Sequence, residues 1–175
     1  MSSHLTFKVV VVGEGGVGKS TMIQRLTTGS YMPMRITIGT DLASYQTKIN
    51  KRIARLQIWD FGGEKRFRFF LPNYCRGAMG CLLCYDITRY SSFENMIEWL
   101  KIVNENASDT VFILVGEKND LANERRMVKI NDAKEFQKKY NIEYFYETSS
   151  KSGFNNKEIF ETLIEAIIKK KNIEI

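Results

Sequence analysis

A chain of 175 residues, 43% of them hydrophobic, has the size of one ordinary domain and enough apolar material for a full core. Its 26 basic and 20 acidic side chains leave a net charge of +6, but the lysines are scattered, so a solvated surface is expected and not a nucleic-acid-binding face. No apolar run is long enough to cross a bilayer, the start Met1-Ser2-Ser3-His4 lacks the regions of a signal peptide, and Cys75, Cys81 and Cys84 are an odd number suited to buried free thiols, which together predict a cytoplasmic protein without disulfide or zinc site.

The first strand signal, Phe7 to Gly13, carries the run Val9-Val10-Val11-Val12 and leads into Gly13-Glu14-Gly15-Gly16-Val17-Gly18-Lys19-Ser20. This is a complete G-x-x-x-x-G-K-[ST] pattern, and helical periodicity begins after Lys19. A buried strand that ends in a glycine-rich turn and feeds a helix presents backbone N–H groups and the positive end of a helix dipole to a polyphosphate. Gly13, Gly15, Gly16 and Gly18 let the loop wrap closely, with Val17 counted among the nucleotide-binding residues. Lys19 is expected to reach the outer phosphates and the Ser20 hydroxyl, next to Thr21, to be a ligand of Mg²⁺.

Further strand signals follow at Leu42 to Ile49, Ile53 to Asp60, Gly80 to Asp86, Val111 to Gly116 and Tyr144 to Glu147, with Asn50-Lys51 as a hairpin turn between two of them. Helical periodicity recurs across Ser92 to Asn106 and Asn131 to Tyr140. The last helix places Phe160, Leu163, Ile164, Ile167 and Ile168 on one stripe, and Lys169-Lys170-Lys171 at its end complement the helix dipole. The alternation predicts a single α/β domain over residues 1–175: a doubly wound, mostly parallel six-stranded sheet with one antiparallel strand pair and about five helices. Ligands of such sheets bind at the carboxyl ends of the strands. Asp60 closes one apolar strand there and is expected to reach the metal beside Ser20, while Gly62-Gly63 form a flexible turn whose Gly63 N–H is placed to sense a terminal phosphate.

Two more strand ends carry Glu117-Lys118-Asn119-Asp120 and Glu147-Thr148-Ser149-Ser150-Lys151. These segments resemble the N-K-x-D and E-T-S-A-K base-reading motifs of the Ras superfamily of small GTPases, in the same order and at the same spacing. The likeness covers nearly the whole chain and is strongest to the Rab branch. Ile38-Gly39-Thr40-Asp41-Leu42 is similar to I-G-V-D-F and Leu56-Gln57-Ile58-Trp59-Asp60 to L-Q-I-W-D; Tyr74-Cys75-Arg76-Gly77-Ala78, Tyr85-Asp86-Ile87-Thr88 and Ser92-Phe93-Glu94-Asn95 extend it. The resemblance implies a switch that binds GTP or GDP with Mg²⁺, hydrolyses GTP, engages effectors when GTP-loaded and is linked to vesicle or membrane trafficking. It implies that Asp120 accepts hydrogen bonds from guanine N1 and N2 and so decides GTP over ATP. Lys118 lies along base and ribose, Ser149, Ser150 and Lys151 meet the O6 edge, Tyr31 stacks on the base, and Thr37 ligates Mg²⁺ and feels the terminal phosphate.

The sequence departs from that pattern in places that bear on chemistry. Glu64 stands where the family has the glutamine that orients the attacking water, leaving a slow GTPase or, alternatively, a nucleotide-binding module that hardly hydrolyses. Glu117 replaces the asparagine or threonine that supports guanine N7, so weaker nucleotide binding is expected. The interval from Lys19 to Thr37 is one residue short of the usual spacing. Ser2 occupies the place where myristoylation needs glycine and Lys171-Asn172-Ile173-Glu174-Ile175 holds no cysteine, so no direct lipid anchor is expected.

The resemblance also implies an exchange factor, a GTPase-activating protein and effectors, acting through residues around 34–42 and 61–78 of a monomer. Leu42, Trp59 and Tyr74 match an apolar effector-binding triad. Phe67, Phe69, Phe70 and Leu71 suggest a docking site that depends on the nucleotide state. Gly15 leaves room for an arginine from an activating protein, and no internal arginine suggests itself as a substitute. A kinase of small substrates would need arginines on a mobile lid; Arg125-Arg126 lie in too short a segment for that.

Overall fold

The computed structural model describes residues 4–175, so Ser2 lies outside the described residues. Strands β1 (His4–Val12), β2 (Thr40–Ile49), β3 (Arg52–Phe61), β4 (Gly80–Asp86), β5 (Val111–Glu117) and β6 (Tyr144–Glu147) form one sheet in the order β2-β3-β1-β4-β5-β6. Only β2 and β3 pair antiparallel, around Asn50 in the left-handed conformation; every other pair is parallel. Helices α1 (Lys19–Thr28), α4 (Met96–Asn106), α6 (Ile130–Lys139) and α7 (Asn156–Lys170) are joined by the shorter α2 (Leu71–Cys75), α3 (Tyr90–Glu94) and α5 (Ala122–Arg125). A 3₁₀ segment at Lys65–Phe70 precedes α2.

The four-valine run explains the two-sided core. Successive side chains of a strand point to opposite faces. Val9 and Val11 therefore join Leu82, Cys84, Ile113 and the α1/α7 residues Met22, Phe160, Leu163 and Ile164 on one face. Val10 and Val12 join Cys81, Leu83, Met96, Trp99 and Val103 on the other. β4 and β5 are buried along their whole length, the pattern of parallel strands covered by helices on both sides. Cys75, Cys81 and Cys84 are buried free thiols, and burial pushes all of them up, Cys75 to about 11, which leaves them unreactive.

The helical segment expected at Ser92 to Asn106 is two helices. It breaks at Asn95, whose side chain amide donates to the Glu14 carboxylate of the phosphate loop instead of continuing one smooth surface helix. β3 runs one residue past Asp60, to the fully buried Phe61. Leu71, expected in an exposed docking site, is fully buried as the start of α2, while Phe69 is 83% exposed. Among the described residues no helix is long and apolar enough to cross a membrane.

The chain turns to opposite sides of the sheet from β1, whose neighbours are β3 and β4. The carboxyl ends of β1, β3 and β4 therefore flank the crevice where open α/β sheets bind ligands. The packing under it predicts that Phe160→Ala, which opens a cavity between α7 and the sheet, lowers unfolding free energy by about 3–5 kcal/mol in chemical denaturation at fixed nucleotide concentration; a loss below about 1 kcal/mol would contradict this description of the core.

Candidate functional site

The phosphate loop follows β1 directly and owes its shape to backbone that no side chain could share. Gly13 sits at φ 146°, and a Cβ there would lie 2.1 Å from the Cys84 carbonyl oxygen of β4. Gly63, after β3, is equally confined, since its Cβ would fall 2.1 Å from the Gly15 nitrogen. The loop is thus wedged between two neighbouring strand ends. Val17 is fully buried beneath it.

Lys19 opens α1 and is 5% exposed. Its ammonium donates to the carbonyls of Gly13 at 2.7 Å and Glu14 at 2.8 Å. Burial lowers its pKa, opposed by the charge of Asp60. At the second residue of the helix the Ser20 hydroxyl meets both the Thr37 hydroxyl and an Asp60 carboxylate oxygen, with Thr37 to Asp60 at 3.4 Å. The second Asp60 oxygen is buried without a partner. Burial raises the Asp60 pKa, against the opposing hydrogen bond from Ser20 and the charge of Lys19. Two hydroxyls and a carboxylate with a spare lone pair are a hard-oxygen donor set of the kind that Mg²⁺ takes, and the set lacks enough protein carboxylates to complete a cage. An ion held there would take its remaining ligands from water or from oxygens of a bound ligand.

Lys19, Ser20 and Thr37 line a cavity of ≈ 160 Å³ together with Gly15, Gly16, Gly18, Thr21 and Gly63, among others, while Gly13 and Asp60 lie outside its lining. A second cavity of ≈ 240 Å³ shares Gly18, Thr21 and Lys118 with the first and is completed by Tyr31, Glu117, Asp120, Ser150 and Lys151. The two form one elongated cleft, with cations and peptide N–H groups at one end and an aromatic ring, an acid and the β5 and β6 loops at the other. Of the sequence-predicted site residues, Ser149 acts from behind, donating to the Asp120 carboxylate at 2.7 Å. Glu64 lies outside both cavities, held at 2.7 Å by Arg66.

The wide end is braced by contacts between its two loops. Glu147 accepts a two-pronged hydrogen bond from Arg126 at 2.6 and 2.8 Å and another from the Asn119 side chain at 2.9 Å. The Asn119 N–H donates to the Thr148 carbonyl and the Thr148 N–H to that of Gly116. Arg126 is thereby fixed inside the fold and is no part of a lid. Lys118, in the left-handed conformation, donates to the Gly16 carbonyl at 3.0 Å and to the buried Asp86 carboxylate at 2.6 Å.

Glu117 is fully buried, with one carboxylate oxygen unpartnered and the other close enough to Gly18 that an added Cβ would stand 3.4 Å away. Burial pushes its carboxyl well above the usual range, against the charges of Lys118 and Lys19. Arg89 is the residue that sequence reasoning missed. An internal arginine does reach the loop, its Nη2 donating to the Gly15 carbonyl at 2.7 Å. The signal was only a basic residue following the Asp86-Ile87-Thr88 turn.

A model of the Ras family matches residues 8–169 of the chain. The Ras-related protein RABA1c of Arabidopsis thaliana is 39% identical over 96% of this chain and 79% of its own length. RABA2a of the same plant is 38% identical over 95% and 78%, and the GTP-binding protein ypt3 of Schizosaccharomyces pombe is 38% identical over 93% and 76%. With the phosphate loop, the cleft and this likeness along nearly its whole length, the chain belongs to the Ras family as a Rab-like small GTPase.

Proposed function

We propose that the cleft holds a guanine nucleotide with Mg²⁺ and that the protein is a switch which hydrolyses bound GTP slowly and presents different surfaces before and after. The observation that carries this is the single cleft joining a cationic glycine loop to a pocket whose acid, Asp120, is already oriented by Ser149. In this reading Lys19 and the N–H groups of the loop neutralise the phosphates. Asp120 pairs with the base N1 and N2 groups, which adenine lacks in that arrangement, and Tyr31 and Lys118 flank the ring. Ser20, Thr37 and Asp60 hold Mg²⁺, which when bound offsets charge on the phosphate oxygens.

The switch follows from the same residues. Met34, Arg35, Ile36 and Thr37 line the phosphate cavity from a segment without regular structure. Loss of a terminal phosphate removes the contacts that fix Thr37 and Gly63, which frees both neighbouring segments. Their surfaces are apolar. Leu42 is 62% exposed and lies opposite Trp59 in the hairpin, and Trp59 packs on Tyr74 with ring centroids 5.2 Å apart. Effectors and regulators are expected to dock on this face and on Phe69 and Phe70. The relatives' Rab kinship supports a role in vesicle trafficking.

A second reading, a nucleotide-binding module with almost no turnover, draws on Glu64. Its carboxylate is bound to Arg66 away from the phosphate cavity and adds negative charge to the segment that faces an already anionic reaction centre. Single-turnover conversion of GTP to GDP by the purified protein, with ATP alongside, separates the two. Slow conversion of GTP only is expected, faster in Glu64→Gln; no conversion, and no gain in Glu64→Gln, would favour the module.

The buried Glu117 gives a further expectation. Its folded pKa lies above the ordinary 4.5, so the folded chain holds this proton more tightly than the unfolded one. Stability from this group is greatest below 4.5 and is lost as pH rises toward the raised value. Glu117→Gln removes that loss: the nucleotide-free variant melts above wild type at pH 7, with the gap narrowing near pH 4.5, and an equal gap at both would refute the assignment. Glu117→Asn, which supplies a donor without needing a proton, is expected to bind GDP more tightly than wild type; unchanged affinity in a competition assay would discount a role for Glu117 in binding.

A further inference from the structure

The loop between β4 and α3 faces the phosphate loop with more than packing. Asp86 at its start is buried; one carboxylate oxygen accepts from the Thr88 N–H and hydroxyl at 2.8 and 2.6 Å, and the other holds Lys118. Three residues later the Arg89 backbone is fixed on both sides, its N–H donating to the Asp86 carbonyl and its carbonyl accepting from the Ser92 N–H and hydroxyl. From this rigid mount the guanidinium reaches the Gly15 carbonyl, and its Nε–H is buried without a partner. Asn95, just beyond α3, holds Glu14.

A trans peptide unit points its C=O and the following N–H in opposite directions. Arg89 is absent from the lining of the phosphate cavity, whereas Gly16 is part of it. Holding the Gly15 carbonyl toward Arg89 therefore turns the Gly16 N–H toward the cavity. Lys118, which itself lines the cavity, holds the Gly16 carbonyl one residue on. Gly16, at φ 74°, has no side chain to restrict this peptide, so an external hydrogen bond is what selects its orientation.

We propose that Arg89 is a positioning residue for polyphosphate binding, which aims the Gly16 N–H into the phosphate cavity by holding the Gly15 carbonyl, and so favours nucleoside di- and triphosphates over monophosphates. It acts through the loop backbone and touches no reacting atom. Asp86 coordinates the arrangement by carrying Lys118 directly and the Arg89 mount through its turn. The cation adds long-range attraction for the phosphates, in keeping with its effect on the neighbouring Lys19, whose pKa it helps to lower.

This inference rests on guanine nucleotides occupying the cleft. The test measures equilibrium affinities of wild type, Arg89→Ala, Arg89→Gln and Arg89→Lys for GDP and GMP at fixed Mg²⁺, with melting of each nucleotide-free variant. Loss of a charge-assisted hydrogen bond predicts GDP affinity in Arg89→Ala lower by about tenfold and GMP affinity changed by less than about twofold, with Arg89→Lys recovering part of the loss. A purely structural arginine would lower both affinities alike or lower only the melting temperature, and either pattern overturns the proposal, as does an unchanged GDP to GMP ratio. If Arg89→Ala fails to fold, the same ratio in Arg89→Gln decides. Wild type binding neither nucleotide would defeat the guanine reading itself, and the proposal with it; wild type binding GDP while every variant keeps its ratio defeats the proposal alone.

Discussion

The backbone of the phosphate loop is held in place by three cations, its own Lys19 and two that other loops bring to it. Lys19 binds the carbonyls of Gly13 and Glu14, Arg89 that of Gly15 and Lys118 that of Gly16, so four consecutive carbonyls each have a charged donor. Glycines lose more conformational freedom on ordering than other residues, and a loop built from them needs such partners to keep one shape. The donors come from α1, from the loop after β4 and from the loop after β5. Three separate connections must be in register before the loop can assume its form. The sheet provides that register, since β1, β4 and β5 are adjacent and their carboxyl ends lie side by side.

The same dependence links the two ends of the cleft. Lys118 spans them, with its ammonium on the Gly16 carbonyl and its backbone next to Asp120. Asp120 is set by Ser149, and the β5 and β6 loops are joined by Glu147 with Arg126 and Asn119. Charged pairs of this kind are strongest when water is excluded and every lone pair has a partner. Glu117 breaks the rule. It is a buried carboxyl with one unmatched oxygen and the other beside Gly18, and it resolves the conflict by keeping its proton to a higher pH. By contrast, Phe69 and Leu42 leave apolar area in solvent.

Much of the architecture was legible from period and punctuation. Four successive valines next to a glycine-rich loop signalled a two-sided parallel strand, and Asn50 in its hairpin took the left-handed turn that its type favours. Less legible were features fixed by distant contacts. The break at Asn95 depends on a carboxylate 81 positions earlier in the chain, and no local propensity encodes it. α2 exists because Leu71 and Cys75 are drawn into the core below α4, not because five residues with a proline favour a helix. In the cleft, motif spacing pointed to Gly15, Gly16, Gly18, Lys118 and Asp120, which do line it, but gave no sign that Glu64 would be turned to Arg66, that Ser149 would serve Asp120 from behind, or that Arg89 would reach Gly15. Long side chains can choose among several partners within reach, and the choice is made by the tertiary structure.

We propose that one cleft reads both the phosphates and the guanine ring. Titration calorimetry of nucleotide-free protein with GDP and with ADP, each with Mg²⁺ and with a chelator, tests it most directly. The account predicts tight GDP binding that weakens when the metal is chelated, and ADP binding weaker by about a hundredfold or more, because adenine does not offer Asp120 the pair of donors that guanine does. Equal affinity for the two nucleotides, or GDP binding indifferent to the metal, would contradict it.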